Sequence, residues 1–220
     1  MVKRKARLVA KGFSQVPGED FDETYMAVTC LESFRIVMAV MAQKDLKTWQ
    51  VNFISAYLNS PCKYEVYMQI PPGFVMPQGE EKVEDLTNCQ WPGPNTVLYM
   101  WALDKTVYGM MQGAYNWFGE LEDAYNSLRY YGSRANSCVR SQVINGEYTL
   151  TSTHTDDVFG VSSSSESAAE AKAELDRCFK IKDLGTPSVI LDMKIYQDPE
   201  SGTISLSQKV FLEQTLECFC

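Results

Sequence analysis

The chain has 220 residues, 45% of them hydrophobic, and a formal net charge of −8, so it is long enough for one large domain or two small ones around a buried core. The acidic balance argues against a generic nucleic-acid binder, which is usually basic, and no apolar run approaches the roughly 18 residues of a membrane span. The seven cysteines are odd in number and form no C-x-x-C pair, which favours a reduced, intracellular protein.

The first half of the chain mixes predicted strands and helices. Residue patterns indicate strands at 6–10, 47–53 and 64–70, a loop at 15–23, a short helical turn at 55–58 and an exposed loop at 71–94. Thr29 and Glu32 form a capping box that predicts a helix start. The helical spacing then predicts one buried face, made of Leu31, Phe34, Val37, Met38 and Met41.

The second half predicts antiparallel hairpins between helices, and so an α+β class. A helix is expected at 114–130, and Asn145-Gly146 predicts a tight hairpin between strands 138–144 and 147–153. The strand at 158–161 continues that sheet. Ser163 and Glu166 predict a second capping box, before a helix that buries Ala168, Ala171, Leu175, Cys178 and Phe179. A last hairpin joins 189–196 to 203–206, and a final helix begins near 208.

Two adjacent acids, Asp156 and Asp157, interrupt the β-type pattern of the second half. Adjacent carboxylates repel, and burying them is costly unless a cation is present. Oxygen ligands of this kind suit Mg²⁺ in phosphoryl or nucleotidyl transfer. On the earlier strand, where a third carboxylate is sought, the chain has Asn52. From the residues alone, a solvent-exposed turn capped by the Asp side chains stays open as an alternative.

The N-terminus carries a local basic arm on an otherwise acidic chain. Five cations precede the first acid, Glu19, and these are Lys3, Arg4, Lys5, Arg7 and Lys11. Such a cluster fits an anion site for a triphosphate or a phosphate backbone. A solvated, frayed terminus is the alternative reading of the same charges.

Many short segments carry a family resemblance, in order along the chain. They are Lys5 to Gln15 (KARLVAKGFSQ), Asp20 to Tyr25, Leu31 to Arg35, Ala56 to Asn59, Glu65 to Phe74, Val107 to Gly113, Trp117, the Asp-Asp hairpin, Lys182 to Gly185 and Ser205 to Gln208. Together they resemble the reverse transcriptase domain of copia-type LTR retrotransposons over essentially the whole chain. The sequence of residues 153–159 is most similar to the fungal branch of that family.

The resemblance implies a right-hand polymerase fold in an intracellular protein. Fingers would be about residues 1–48 and 60–115, palm about 49–59 and 116–220, and the thumb absent. It implies RNA-directed DNA synthesis with two Mg²⁺ ions, or Mn²⁺ in their place. The implied partners are an RNA template, a DNA primer, deoxynucleoside triphosphates and other segments of the retroelement polyprotein, with no membrane. The implied location is the cytoplasm, virus-like particles or the nucleus.

The resemblance also implies roles for individual residues. Asp156 matches the first metal-binding aspartate, with Asp157 as its weaker neighbour. The matches to nucleotide-binding positions are Lys5, Arg7 and Lys11 for the triphosphate, Tyr57 for the gate under the sugar, and Gln112 beside the nucleotide. Leu191, Asp192 and Met193 match the hairpin that grips the primer. As bare residues, Tyr57 also suits a core position, and Gln112 a polar helix start.

Two departures from the family pattern predict impaired catalysis. Asn52 stands where the family has an aspartate, so it keeps the size but lacks the charge that binds both metals. Asp192 stands in place of a primer-grip glycine and adds a charge that repels phosphate. The chain is therefore expected to be a polymerase domain by ancestry with weak or absent activity. A non-catalytic remnant that binds nucleic acid or protein is one alternative, and an unrelated Mg²⁺-dependent phosphoesterase is another.

Overall fold

The structure is a computed structural model that describes residues 6–71, 100–198 and 202–219. Lys5 and nearly all of the predicted loop at 71–94 lie outside the described residues. The chain divides into two compact units, each treated by itself below. The first unit comprises Met1–Tyr25 with Tyr57–Glu120, and the second comprises Met26–Ala56 with Leu121–Cys220.

The described residues contain four α-helices and eleven strands, with 3₁₀ turns at Gly12–Ser14 and Ala56–Asn59. The helices are α1 (Leu31–Lys44), α2 (Gly113–Ser127), α3 (Ser165–Cys178) and α4 (Lys209–Phe219). The strands are β1 (Lys47–Phe53), β2 (Tyr67–Gln69), β3 (Met100–Ala102), β4 (Tyr131–Gly132), β5 (Val139–Ile144), β6 (Glu147–His154), β7 (Asp157–Ser162), β8 (Ile181–Gly185), β9 (Val189–Ile190), β10 (Met193–Gln197) and β11 (Ile204–Ser207). Among the described residues, no helix has the length and apolar character of a membrane span.

An antiparallel sheet of six strands, in the order β4-β5-β6-β7-β1-β8, forms the centre of the second unit. One face packs against α1 and against the small sheet β11-β10-β9, in a core that includes Phe34, Phe159 and Met193. Strand alternation turns Val158 and Gly160 to the opposite face, and α3 packs against the same central strands. Mixed helices and antiparallel sheets agree with the predicted α+β class.

The first unit has a smaller core of its own. Strands β2 and β3 pair antiparallel, and their Met68 packs with Val66, Val107 and Met110. The predicted strand at 64–70 is real but shorter. The predicted strand at 6–10 is wrong, because this segment bonds to a loop rather than to a strand: the Ala10 N–H donates to the Tyr108 carbonyl at 2.7 Å.

Three predictions about helix ends and faces are wrong. The N-cap of α1 is Cys30 rather than Thr29, whose hydroxyl instead donates to the carbonyl of Thr153. The capping box of α3 is shifted by one residue, with Ser164 accepting from the N–H of Ser167. Cys178 is exposed rather than buried, because it lies at the last turn of α3. The predicted buried face of α1 is confirmed for Phe34, Val37, Met38 and Met41, with Leu31 partly buried against the same core.

Candidate active site

The two acids lie at the hairpin between β6 and β7. His154 pairs with Asp157, so Thr155 and Asp156 form a two-residue turn, and Thr155 adopts a φ of 56°. The carbonyl of Asp156 accepts a hydrogen bond of 2.7 Å from the N–H of Phe53 at the end of β1. The tight turn that two neighbouring carboxylates need in order to reach one site is therefore present.

Asn52 lies directly across from Asp157 in the pairing of β1 with β7. Side chains opposite each other on antiparallel strands point to the same face, with Cβ atoms roughly 5 Å apart. The predicted adjacency across neighbouring strands is confirmed for Asn52 and Asp157, and a cation site shared with Asp156 stays a prediction. Asn52, Asp156 and Asp157 are all partly buried, which suits groups that face a shared, partly wet site.

Gln50 is a member of this site that the sequence analysis missed. Its side chain is 8% exposed, and its Nε2 lies 2.8 Å from Oδ1 and 2.9 Å from Oδ2 of Asp157. The amide therefore holds the Asp157 carboxylate by both oxygens. The signal was available, because residues two apart on a strand share a face and Gln50 precedes Asn52 by two positions.

The electrostatics of the site raise the pKa of Asp157. Burial, the largest cause, raises the pKa of its carboxyl group, and the neighbouring charge of Asp156 raises it further. The Gln50 hydrogen bond and the proximity of His154 lower the pKa, but they do not cancel the rise.

A pH-dependent change in stability follows from the raised pKa. A group whose pKa is raised on folding stabilises the fold below its unfolded pKa, about 3.9 for Asp, and that contribution is lost as the pH rises through the folded value. The Asp157→Asn variant cannot ionise, and a half-turn of the Gln50 amide keeps one hydrogen bond. We expect this variant to have a higher Tm than the parent at pH 7. The difference should shrink as the pH falls through the raised folded pKa of Asp157, and it should be smallest below about pH 3.9.

Thermal denaturation at several pH values measures this effect. Asp123→Asn, at an exposed position on α2, removes the same carboxylate away from the site and should change Tm little at any pH. A parent that is more stable than Asp157→Asn at pH 7 would contradict the burial argument.

The donors of this site do not fit two Mg²⁺ ions. Within the part of the chain that the structure describes, no three His, Cys, Asp or Glu side chains come together as a metal cluster. Two divalent cations a few ångströms apart depend on bridging carboxylates. Asp156 and Asp157 together carry at most two negative charges, half of what would balance two divalent cations. Asn52 adds no charge, and Gln50 already engages both oxygens of Asp157. The set suits a single hard cation better.

Two of the predicted nucleotide-binding residues, Arg7 and Tyr57, meet at a tyrosine that the sequence analysis did not identify. The guanidinium carbon of Arg7 lies 5.7 Å from the centroid of the Tyr108 ring. The ring of Tyr57 lies 4.8 Å from the same ring, centroid to centroid. Arg7 and Lys11 are exposed and Tyr57 is partly buried. A cation and two aromatic rings thus form one surface feature, and only the folded chain brings Tyr108 to it.

Gln112 is more enclosed than its predicted role implies. Its side chain is 2% exposed, its Nε2 donates to the carbonyl of Asp20 at 3.2 Å, and its Oε1 has no hydrogen-bond partner. A buried, unpaired acceptor of this kind calls for an explanation, such as a bound water or a change of conformation. Direct contact of Gln112 with a nucleotide stays a prediction.

The predicted primer-grip residues form the turn between β9 and β10. Ile190 pairs with Met193, and Leu191 and Asp192 adopt φ values of 49° and 59°, in the left-handed region that favours glycine. Asp192 is exposed at this turn, whereas Met193 is 2% exposed within the core. Position 192, where Asp replaces the glycine expected from the resemblance, thus has a backbone conformation that favours glycine.

Comparisons with known proteins agree with the resemblance. The model of the family described as reverse transcriptase (RNA-dependent DNA polymerase) matches residues 1–220. The chain is 30% identical, over its whole length, to the retrovirus-related Pol polyprotein from transposon TNT 1-94 of Nicotiana tabacum, and it covers 15% of that protein. It is 35% identical over 117 residues and 33% identical over 129 residues to the Pol polyproteins of transposons RE2 and RE1 of Arabidopsis thaliana, covering 7% and 8% of them.

The chain thus spans a small part of the length of these relatives. All three come from plants, and the predicted similarity to a fungal branch stays a prediction. No solved structure matches the chain.

Proposed function

Because this chain belongs to the reverse transcriptase (RNA-dependent DNA polymerase) family, and within it to the copia-type Pol polyproteins of transposons, we propose that it is a polymerase domain whose nucleotidyl transfer is impaired by Asn52. The pairing of Asn52 with Asp157 carries this proposal. It puts a neutral amide where a third carboxylate would complete a cation site.

The residues of the second unit then have distinct parts in binding. A single divalent ion would be held by the carboxylates of Asp156 and Asp157, and it would supply positive charge to the reacting phosphate. Asp156, on the turn, supplies the least encumbered carboxylate, and Gln50 orients Asp157 through both of its oxygens. Asn52 offers a carbonyl oxygen but no charge, so the electrostatic contribution that usually dominates such a site is reduced.

The proposed substrates are a deoxynucleoside triphosphate, an RNA template and a DNA primer. The exposed cations Arg7 and Lys11, with Lys5 upstream, would contact phosphate, and Tyr57 would lie under the sugar. The turn at Leu191 and Asp192 would face the primer backbone. There the charge of Asp192 opposes phosphate binding, which adds to the impairment.

The proposed organisation is a fingers part and a palm part within a longer polyprotein. The division of the chain into two compact units supports a two-part organisation. The six-stranded antiparallel sheet that carries Asn52, Asp156 and Asp157 supports a palm in the second unit. Other segments of a Pol polyprotein are the proposed partners, since the relatives are such polyproteins.

Primer extension by the purified chain tests the proposal. With a primed RNA template and Mg²⁺, we expect no extension above that of an Asp156→Ala variant, because losing a principal electrostatic contribution lowers rates by about 10² to 10³. An RNA–DNA hybrid binding measurement on the same samples shows that the protein is folded and competent. Extension by the parent chain that Asp156→Ala abolishes would contradict the impairment.

A further inference from the structure

The segment that carries Arg7 and Lys11, residues 7–11, is positioned by contacts rather than by its own secondary structure. Its described residues form neither helix nor strand, and the 3₁₀ turn Gly12–Ser14 follows. We call residues 7–11 the basic segment. An irregular segment points its cations in one direction only if something else in the fold holds it.

The loop at residues 107–112 provides that support through close backbone packing. The Ala10 N–H donates to the Tyr108 carbonyl at 2.7 Å. A Cβ at Gly12 would lie 2.0 Å from the Gly109 carbonyl oxygen, and one at Gly109 would lie 2.2 Å from that of Ala10. The two stretches therefore approach as closely as only glycine permits.

Gln15 adds a side-chain contact to this backbone packing. Its Oε1 accepts a hydrogen bond of 2.8 Å from the N–H of Met111. Its Nε2 is buried without a hydrogen-bond partner, an arrangement that costs free energy. The side-chain oxygen of Gln15 is thus the atom that makes the contact. It links the chain just after the basic segment to Met111, the residue before Gln112.

We propose that Gln15 is a positioning residue that holds the basic segment against the loop at 107–112, and that it thereby sets where Arg7 and Lys11 present their charge. The consequence of this contact, triphosphate binding, rests on the proposed function. The contact itself can be tested separately. Gln15 is not itself placed against the nucleotide. It acts through the segment that ends four residues before it.

Hydrogen exchange of the Met111 amide in the full chain tests the contact. Gln15→Ala removes the acceptor, and we expect the amide to exchange about tenfold faster, the worth of one hydrogen bond. Gln15→Glu keeps an acceptor oxygen at the same reach and should retain protection. Gln43→Ala, the same substitution on the exposed side of α1, should leave the Met111 amide unchanged.

Trypsin cleavage after Lys11 and binding of thymidine triphosphate complete the experiment. We expect Gln15→Ala to be cleaved about tenfold faster after Lys11 and to bind the triphosphate about tenfold more weakly, with Gln15→Glu near the parent in both. Unchanged exchange and cleavage in Gln15→Ala would overturn the inference, as would faster cleavage with unchanged triphosphate binding. If the parent itself binds no triphosphate, the proposed function loses its support, while exchange and cleavage still decide whether Gln15 holds the segment.

Discussion

Replacing Asn52 with aspartate should raise Mg²⁺-dependent primer extension by at least about a hundredfold, the lower end of what one principal electrostatic group contributes to catalysis. The new carboxylate would lie directly across from Asp157, with its Cβ roughly 5 Å away. Three carboxylates then face the region where the parent chain has two. The change is isosteric, so the gain would come from charge rather than from shape.

The same variant should become more dependent on divalent cations for its stability. A third carboxylate without a cation adds repulsion at a place where burial and Asp156 already raise the pKa of Asp157. An ion that binds the folded state alone raises its stability as the ion concentration rises. We therefore expect the Tm of Asn52→Asp to increase with Mg²⁺ more steeply than that of the parent.

Matched variants isolate the effect of position 52. Asn126→Asp adds the same charge at an exposed position on α2 and should leave extension at background. Asn52→Asp combined with Asp156→Ala should lose the gained activity. Should Asn52→Asp extend no primer in Mg²⁺ or Mn²⁺, Asn52→Asp with Asp192→Gly tests whether the primer-grip charge is the remaining obstacle. An Asn52→Asp protein with neither activity nor a Mg²⁺-dependent Tm would end the proposal.

Gly160→Ala should destabilise the second unit by about 3 kcal/mol, the upper range for overpacking a core. Gly160 pairs with Trp49 across β7 and β1, and a Cβ there would lie 2.1 Å from two atoms of the indole ring. Trp49 is 2% exposed, and its Nε1 donates to Ser162 Oγ at 3.0 Å. The ring has little room to move without breaking that bond or shifting β1.

Thermal or denaturant unfolding measures this loss, expected as a Tm lower by roughly 6–12 °C for a chain of this size. Gly119→Ala on α2 is the matched control, because nothing lies within 4 Å of a Cβ built there. It should raise stability by roughly 0.5–1 kcal/mol, the cost of glycine within a helix.

The double variant Gly160→Ala with Trp49→Leu probes the same contact. It should lose less stability than the sum of the two single changes, since the colliding ring is gone. An unchanged Tm in Gly160→Ala would show that β1 and β7 do not pack as closely as described.

Local signals in the sequence predicted the central sheet well. Strand β1 has the predicted bounds, because alternation and β-favouring residues coincide there. Asn145 and Gly146 have φ values of 52° and 85°, the positive values that the Asn-Gly hairpin signal implies. Such features depend on neighbours in sequence, and a pattern of a few residues contains them.

Long-range contacts account for what the sequence could not predict. Thr29 looks like a helix cap, yet its hydroxyl bonds to Thr153, 124 positions away. Tyr108 contacts both Arg7 and Tyr57 only because the loop at 107–112 folds against the basic segment. The enclosure of Gln112 by Asp20 is of the same kind. No local pattern encodes a partner a hundred residues away.

The hydrogen bond from the Phe53 N–H to the Asp156 carbonyl has a consequence for how this site tolerates substitution. Main-chain atoms alone make this bond, so substitutions at positions 52 and 156 leave its donor and its acceptor in place. Under the proposed function, catalysis would therefore be lost without loss of this contact. Asparagine and aspartate codons differ by a single base, so under the proposed function one transition at position 52 would restore the missing carboxylate.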